Sequence, residues 1–180
     1  MSELTQANWA HLFHAYGLAT DTPEYLATLQ QSEEAAHSAC LYHLNSAILH
    51  QETVWTATAP ATAILLGYFA DNSLQVNDDI RTGLLSFLLD LSVVLQQIPQ
   101  TDWVELDELA KTDLSSYWVE DFDLEVFFED EPAANAAFAQ SLCACRALLP
   151  QLSRTFSQAS HHPNPNIRAM AVEGLRICAG

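Results

Sequence analysis

Seven histidines, four cysteines and 23 acidic residues are the side chains of this 180-residue chain that could do chemistry. His37, Cys40 and His43 step by three and are the densest set of metal-binding residue types. Six residues of helix rotate the chain by about 600°, which leaves His37 and His43 roughly 120° apart and poorly placed to share one ion. His161 and His162 stand in a proline-containing loop without an acidic or thiol neighbour in sequence, and read as a solvated pair. No metal and no cofactor are therefore expected. Covalent catalysis also lacks a frame: there is no Gly-x-Ser-x-Gly elbow and no Cys-with-His signature, and five scattered glycines cannot build a phosphate-cradling loop. The turn from His50 to Thr58, where Trp55 is flanked by threonines, is the remaining place for a small catalytic pocket; its alternative is a Trp55 that packs between two helix pairs. The chain is read as a non-enzyme.

The sharpest cluster is acidic. Residues 102–131 hold 12 acids and one base, a net of -11, interleaved with Trp103, Tyr117, Trp118, Phe122, Phe127 and Phe128. A charge run by itself is usually a solvated, self-repelling loop. This one carries aromatic side chains large enough to anchor it, and protein interfaces favour aromatic anchors rimmed by charge. Glu120, Asp121, Asp123, Glu125, Glu129, Asp130 and Glu131, with Trp118 and Phe122 beside them, are therefore the candidate partner-binding residues. The acids would steer a basic partner, and the aromatics would supply desolvated contacts.

Composition sets the background. The net charge of -17 reflects a shortage of cations, only six in all, with Lys111 the single lysine. Phosphate recognition needs clustered Lys and Arg, so nucleic-acid binding is disfavoured. The longest apolar run, 83–95, is broken by Ser86, Asp90 and Ser92, and falls short of the roughly 20 apolar residues of a membrane span. The first eight residues are polar, with none of the features of a secretory signal, which leads to a cytoplasmic expectation. Cys143 and Cys145, two apart in a helical pattern, point away from each other, and the four cysteines read as free thiols.

Ala and Leu each occur 26 times against 14 Val plus Ile, so intrinsic preference favours helix along most of the chain. The spacing of Trp9, Leu12, Phe13 and Tyr16 predicts a first helix ending at Gly17. Thr22 and Pro23 open a second, and a third runs from about Glu33 to Leu49. A fourth begins near Pro60, and Asn77 caps a long, largely buried helix that Pro99 ends. Asp102 and Glu105 match a capping box for a short helix to about Lys111, followed by an irregular or short helical stretch. Regular spacing returns after Pro132, with Pro150 kinking or dividing that helix, and a last helix carries Ile167, Met170, Ala171 and Gly174 on one face. Short helices with wide apolar faces joined by short turns suit an all-α solenoid of about eight helices in antiparallel pairs better than a four-helix bundle. The chain reads as one domain with the acidic, aromatic-rich stretch at 101–131 as an insertion or loop.

The closing stretch NPNIRAMAVEGLRICAG, 164–180, resembles the first helix of a HEAT repeat, with a polar turn before an Ile-Arg pair and an Ala-rich face. WAHLFHAYGLATDTPEYLATL at 9–29, HLNSAILHQETVWTATAPATAILLGYF at 43–69 and DDIRTGLLSFLLDL at 78–91 look like the N-terminal pattern of bacterial HEAT-like proteins, except that Glu52 stands where that pattern has glycine. The resemblance implies a HEAT/ARM-like α-solenoid that binds other proteins, and it carries over no catalytic residue. Related helical proteins include acidic immunity proteins that neutralise bacterial toxins. The implied partner is then a basic bacterial toxin domain blocked by binding; the alternatives are a general HEAT-type scaffold or regulator, and an enzyme with a pocket near residues 50–58.

Overall fold

The computed structural model describes residues 7–119 and 122–179. Within them the chain is all-α, with helices α1 (Thr22–Thr28), α2 (Glu34–His43), α3 (Thr58–Ala70), α4 (Asp78–Gln97), α5 (Gln100–Leu109), α6 (Leu124–Glu129), α7 (Glu131–Ala147), α8 (Leu149–Ala159) and α9 (Pro165–Ala179). Boundaries follow local chemistry. The Asn77 side chain accepts the Ile80 N–H at 2.9 Å, and Asp78 and Asp79 occupy the positive end of the α4 dipole. Pro99 stops α4 and precedes α5, while Pro150 sits in the first turn of α8, where its missing N–H costs nothing. The stretch after Pro132 is accordingly two helices. The acidic segment contributes α6, capped by Asp123, whose side chain accepts the N–H groups of Glu125 and Val126.

The N-terminal segment differs from the expected first helix. Trp9–His11 form one 3-10 turn, and Phe13–His14 (β1) pair antiparallel with Gly17–Leu18 (β2), Phe13 opposite Leu18 and His14 opposite Gly17. Gly17 does adopt a positive φ, +128°, but it serves a hairpin turn instead of a helix end. Distant partners hold the hairpin. Phe13 N–H donates to Thr56 Oγ1 at 2.7 Å, its carbonyl accepts the Ala57 N–H at 3.1 Å, and Ala15 N–H donates to the Ala47 carbonyl. Satisfying these backbone groups across 43 residues outweighs the helical spacing of the side chains. The expected third helix also changes character: α2 gives way at Leu44–Ile48 to a π turn in which Leu49 N–H reaches back to the Leu44 carbonyl. Beyond it Gln51 and Glu52 have φ of +48° and +63°. Glu52 thus adopts the left-handed conformation in which a glycine is at ease.

Helix α4 runs through the main core, with Leu84, Leu85, Phe87, Leu88 and Leu91 fully buried. It packs most heavily on α9, and α9 on α8. Gly174 makes the second contact possible, because a methyl group there would lie 2.5 Å from the Phe156 ring. A second apolar cluster gathers Phe13, Leu114 and Phe127 over the alanine face of α7: Ala133, Ala134, Ala136 and Ala137. These small side chains let α5, α6 and α3 all approach α7. No single helix among the described residues is long and apolar enough to cross a membrane.

Gly174→Ala should lower stability by about 1–2 kcal/mol, since overpacking a rigid ring outweighs the helix preference of alanine. Gly83→Ala, which meets only the movable end of Leu41, should be nearly neutral in a parallel urea titration. The Asp90 carboxyl, on an exposed residue, is pushed above its ordinary range by partial desolvation and then by the nearby Glu52 charge. A raised acid is destabilising once pH passes through the range between its unfolded and folded pKa and is neutral in effect below it. Asp90→Asn should therefore raise the melting temperature at pH 7, with the gain vanishing in strongly acidic buffer.

Candidate functional site

The acidic segment folds back onto the molecule through its aromatic residues. Phe127 is buried and touches Phe13, Tyr117, Trp118 and Phe122, with ring centroids 5.3–5.9 Å apart. Trp118 also stacks on His11 of the N-terminal turn at 5.9 Å. Trp118 and Phe122 are thus half-buried supports. The apolar side chains that project beside the acids are Val119, Val126 and Phe128, 51%, 61% and 38% exposed. Sequence reasoning missed these three; the signal was available in Val126 and Phe128, which flank the buried Phe127 in a short helix and so cannot all face inward.

The predicted acids divide into two groups. Asp123 caps α6, and Asp130 caps α7 by accepting the Ala133 N–H at 3.2 Å while its other oxygen accepts the Tyr117 hydroxyl in a short hydrogen bond. The Tyr117 hydroxyl and then the Ala133 amide hold the Asp130 carboxyl below its ordinary range, and the same bond pushes Tyr117 up. These two aspartates build the segment. Glu125, Glu129 and Glu131 are exposed, and no hydrogen bond or ion pair to another described residue engages their carboxylates. Glu120 and Asp121 lie outside the described residues.

Cations are engaged elsewhere. Lys111 pairs with Glu108, and Arg146 pairs with Asp107 and covers the Trp103 ring at 4.3 Å, so among the described residues the ion pairs of the acidic run lie at its α5 end. The Arg146 guanidinium holds the Asp107 carboxyl below its usual range. At the α6 end an open hollow of about 520 Å³ is lined by Val126, Glu129, Asp130, Glu131 and Pro132. The Glu129 and Glu131 carboxylates beside an exposed valine can receive a guanidinium or ammonium group together with its aliphatic stem. Against Trp118 lies a more enclosed, mainly apolar groove of about 480 Å³, bordered by His11, Leu12, Thr56, Pro60, Ala137 and Ser141.

The remaining chemistry-bearing residues have local partners. His37 donates to the Gln31 carbonyl at 2.8 Å, and His161 and His162 bond within their own turn and loop. The Thr56 and Thr58 hydroxyls bind the backbone of Phe13 and Ile48, and Trp55 packs against Phe13 and Phe138. Burial pushes the Cys40 and Cys145 thiols up to about 12, far from the range of a nucleophilic thiolate. Comparison with models of known protein families, with curated proteins and with solved structures finds no match.

Because Asp130 builds the segment and Glu129 does not, the two should separate in a thermal melt. Asp130→Ala should lower the melting temperature clearly, and Glu129→Ala should leave it unchanged. A depressed carboxyl stabilises above its unfolded pKa and loses that contribution as pH falls through its folded value. Asp130→Asn should accordingly flatten the acid limb of the stability profile.

Proposed function

We propose that this chain is a non-catalytic protein-binding module whose acidic face, formed by α6, the start of α7 and the segment before them, receives a basic protein surface. The observation that carries this reading is the hollow around Val126, where Glu129 and Glu131 stand exposed without a described counter-cation beside apolar side chains. Unpaired like charges repel one another and gain when a cationic partner arrives, and the exposed Val126 and Phe128 add contact area that a purely solvated charge run lacks. The net charge of -17 would steer such a partner from a distance.

An immunity role, in which the chain blocks a basic bacterial toxin domain, is the specific form of this proposal that the HEAT-like resemblance suggests. The solenoid reading belongs with it. Contacts between sequence neighbours, α1 with α2 and α8 with α9, support stacked helix pairs, whereas the contacts of α4 with α9 and α5 with α7 join elements farther apart. The apolar groove beside Trp118 favours a second reading, a scaffold that grips its partner through that groove.

Salt separates the two. Association with the product of a neighbouring toxin-like reading frame should slow by about tenfold or more at low salt in a Glu125→Lys, Glu129→Lys, Glu131→Lys variant, and its salt dependence should shrink. Asp123 and Asp130 are left in place because they cap helices. An unchanged on-rate would contradict the acidic-face reading. Binding that ignores both salt and these three residues would favour the groove.

A further inference from the structure

Three side chains outside the acidic face converge under the N-terminal hairpin. His14 lies on β1, Asp21 just before α1 and His43 in the last turn of α2, and one ligand atom of each lies within 4.8 Å of the other two. His14 Nε2 and Asp21 Oδ1 are 3.2 Å apart. Ligands at about 2.0–2.1 Å from a tetrahedral ion are separated by roughly 3.3 Å, so this pair already spans one edge of a coordination shell and His43 closes it by a side-chain shift of about 1.5 Å.

The surroundings are arranged for more than packing. Asp21 occupies the position before α1 where an aspartate ordinarily accepts a helix N–H, yet its side chain makes no such bond and turns to His14. His14 and His43 are 6% and 7% exposed with ring centroids 5.2 Å apart, so both imidazoles are withdrawn from bulk water and stand side by side. Tyr25 stacks flat on His43 at 4.3 Å, and Thr22 Oγ1 lies 2.9 Å from His43 Nε2, contacts that keep the ring beside the other two side chains. Asp21 is 51% exposed and opens the cluster to solvent.

We propose that His14, Asp21 and His43 form a binding site for a divalent transition-metal ion, with Zn²⁺ and one water as the complement that two imidazoles and a carboxylate suit best. The hairpin would respond to loading. His14 Nδ1 accepts the Tyr16 N–H at 3.1 Å, so the ring holds its proton on Nε2, facing Asp21. Metal capture moves that proton to Nδ1 and releases the Tyr16 N–H to water, at a residue that is 66% exposed. The helical triplet His37, Cys40 and His43 plays no part beyond His43, since His37 is held by the Gln31 carbonyl.

Titration of the full chain with Zn²⁺ by calorimetry, and with Co²⁺ by visible absorption, tests the site. One equivalent should bind, Co²⁺ should develop the strong d–d bands of a four-coordinate ion, and the Tyr16 amide resonance should move. Asp21→Asn and His43→Gln should each weaken binding by at least about tenfold, and His37→Gln should not. Asp21→Asn alters a half-exposed side chain, so circular dichroism of that variant distinguishes lost binding from lost structure. A folded wild-type protein that takes up no Zn²⁺ would overturn the proposal. So would binding that is unchanged in Asp21→Asn and His43→Gln, the result expected if surface carboxylates held the ion.

Discussion

The phenyl ring of Phe13, with no solvent exposure, is the point at which the N-terminal hairpin, the turn before α3, α6 and α7 meet. Its backbone N–H and carbonyl are satisfied by Thr56 and Ala57, so the residue cannot shift without breaking hydrogen bonds to a part of the chain 43 residues away. Its ring edge meets Phe127, Phe128 and Phe138 at centroid distances of 5.2–6.1 Å. Full burial of a phenylalanine side chain contributes about 2–3 kcal/mol. That burial joins the acidic segment to the helical body.

Charge and packing are segregated along the same segment. At its α5 end Lys111 and Arg146 pair with Glu108 and Asp107, and at its α6 end no ion pair occurs among the described residues while Asp123 and Asp130 satisfy helix termini. A carboxylate bound to amide N–H groups or a tyrosine hydroxyl stabilises the fold, and one left in solvent does not. The same residue type therefore does two jobs within a few positions, and geometry alone separates them. Glu125 and Glu131 favour the positive ends of α6 and α7 by position alone, and with Glu129 they are the exposed acids whose carboxylates no described hydrogen bond or ion pair engages.

Much of the fold is legible in the sequence because local chemistry sets it. Asn77, Pro99 and Pro150 act within one helical turn of where they stand, and the helix boundaries near them follow directly. The N-terminal hairpin was hidden because Trp9, Leu12, Phe13 and Tyr16 fit a helical period, and what overrides that period is a set of bonds to Ala47, Thr56 and Ala57. The site was half legible. Composition located the acidic, aromatic segment, but a row of like charges does not reveal which aspartates cap helices or that Trp118 and Phe122 face inward. The cluster of His14, Asp21 and His43 has no sequence spacing to betray it, since three separate elements supply one side chain each.

Phe13 holds the acidic segment as a fixed face and not a solvated tail. Native-state hydrogen exchange compared between the wild-type chain and Phe13→Leu distinguishes the two. The Phe127 and Ala134 amides, whose hydrogen bonds run to the carbonyls of Asp123 and Asp130, should be protected in the wild type and lose about tenfold or more of that protection in the variant. The amides of α4 should stay protected in both. Phe127 and Ala134 amides that exchange freely in the wild type, or whose protection is untouched by Phe13→Leu, would contradict a face held by Phe13.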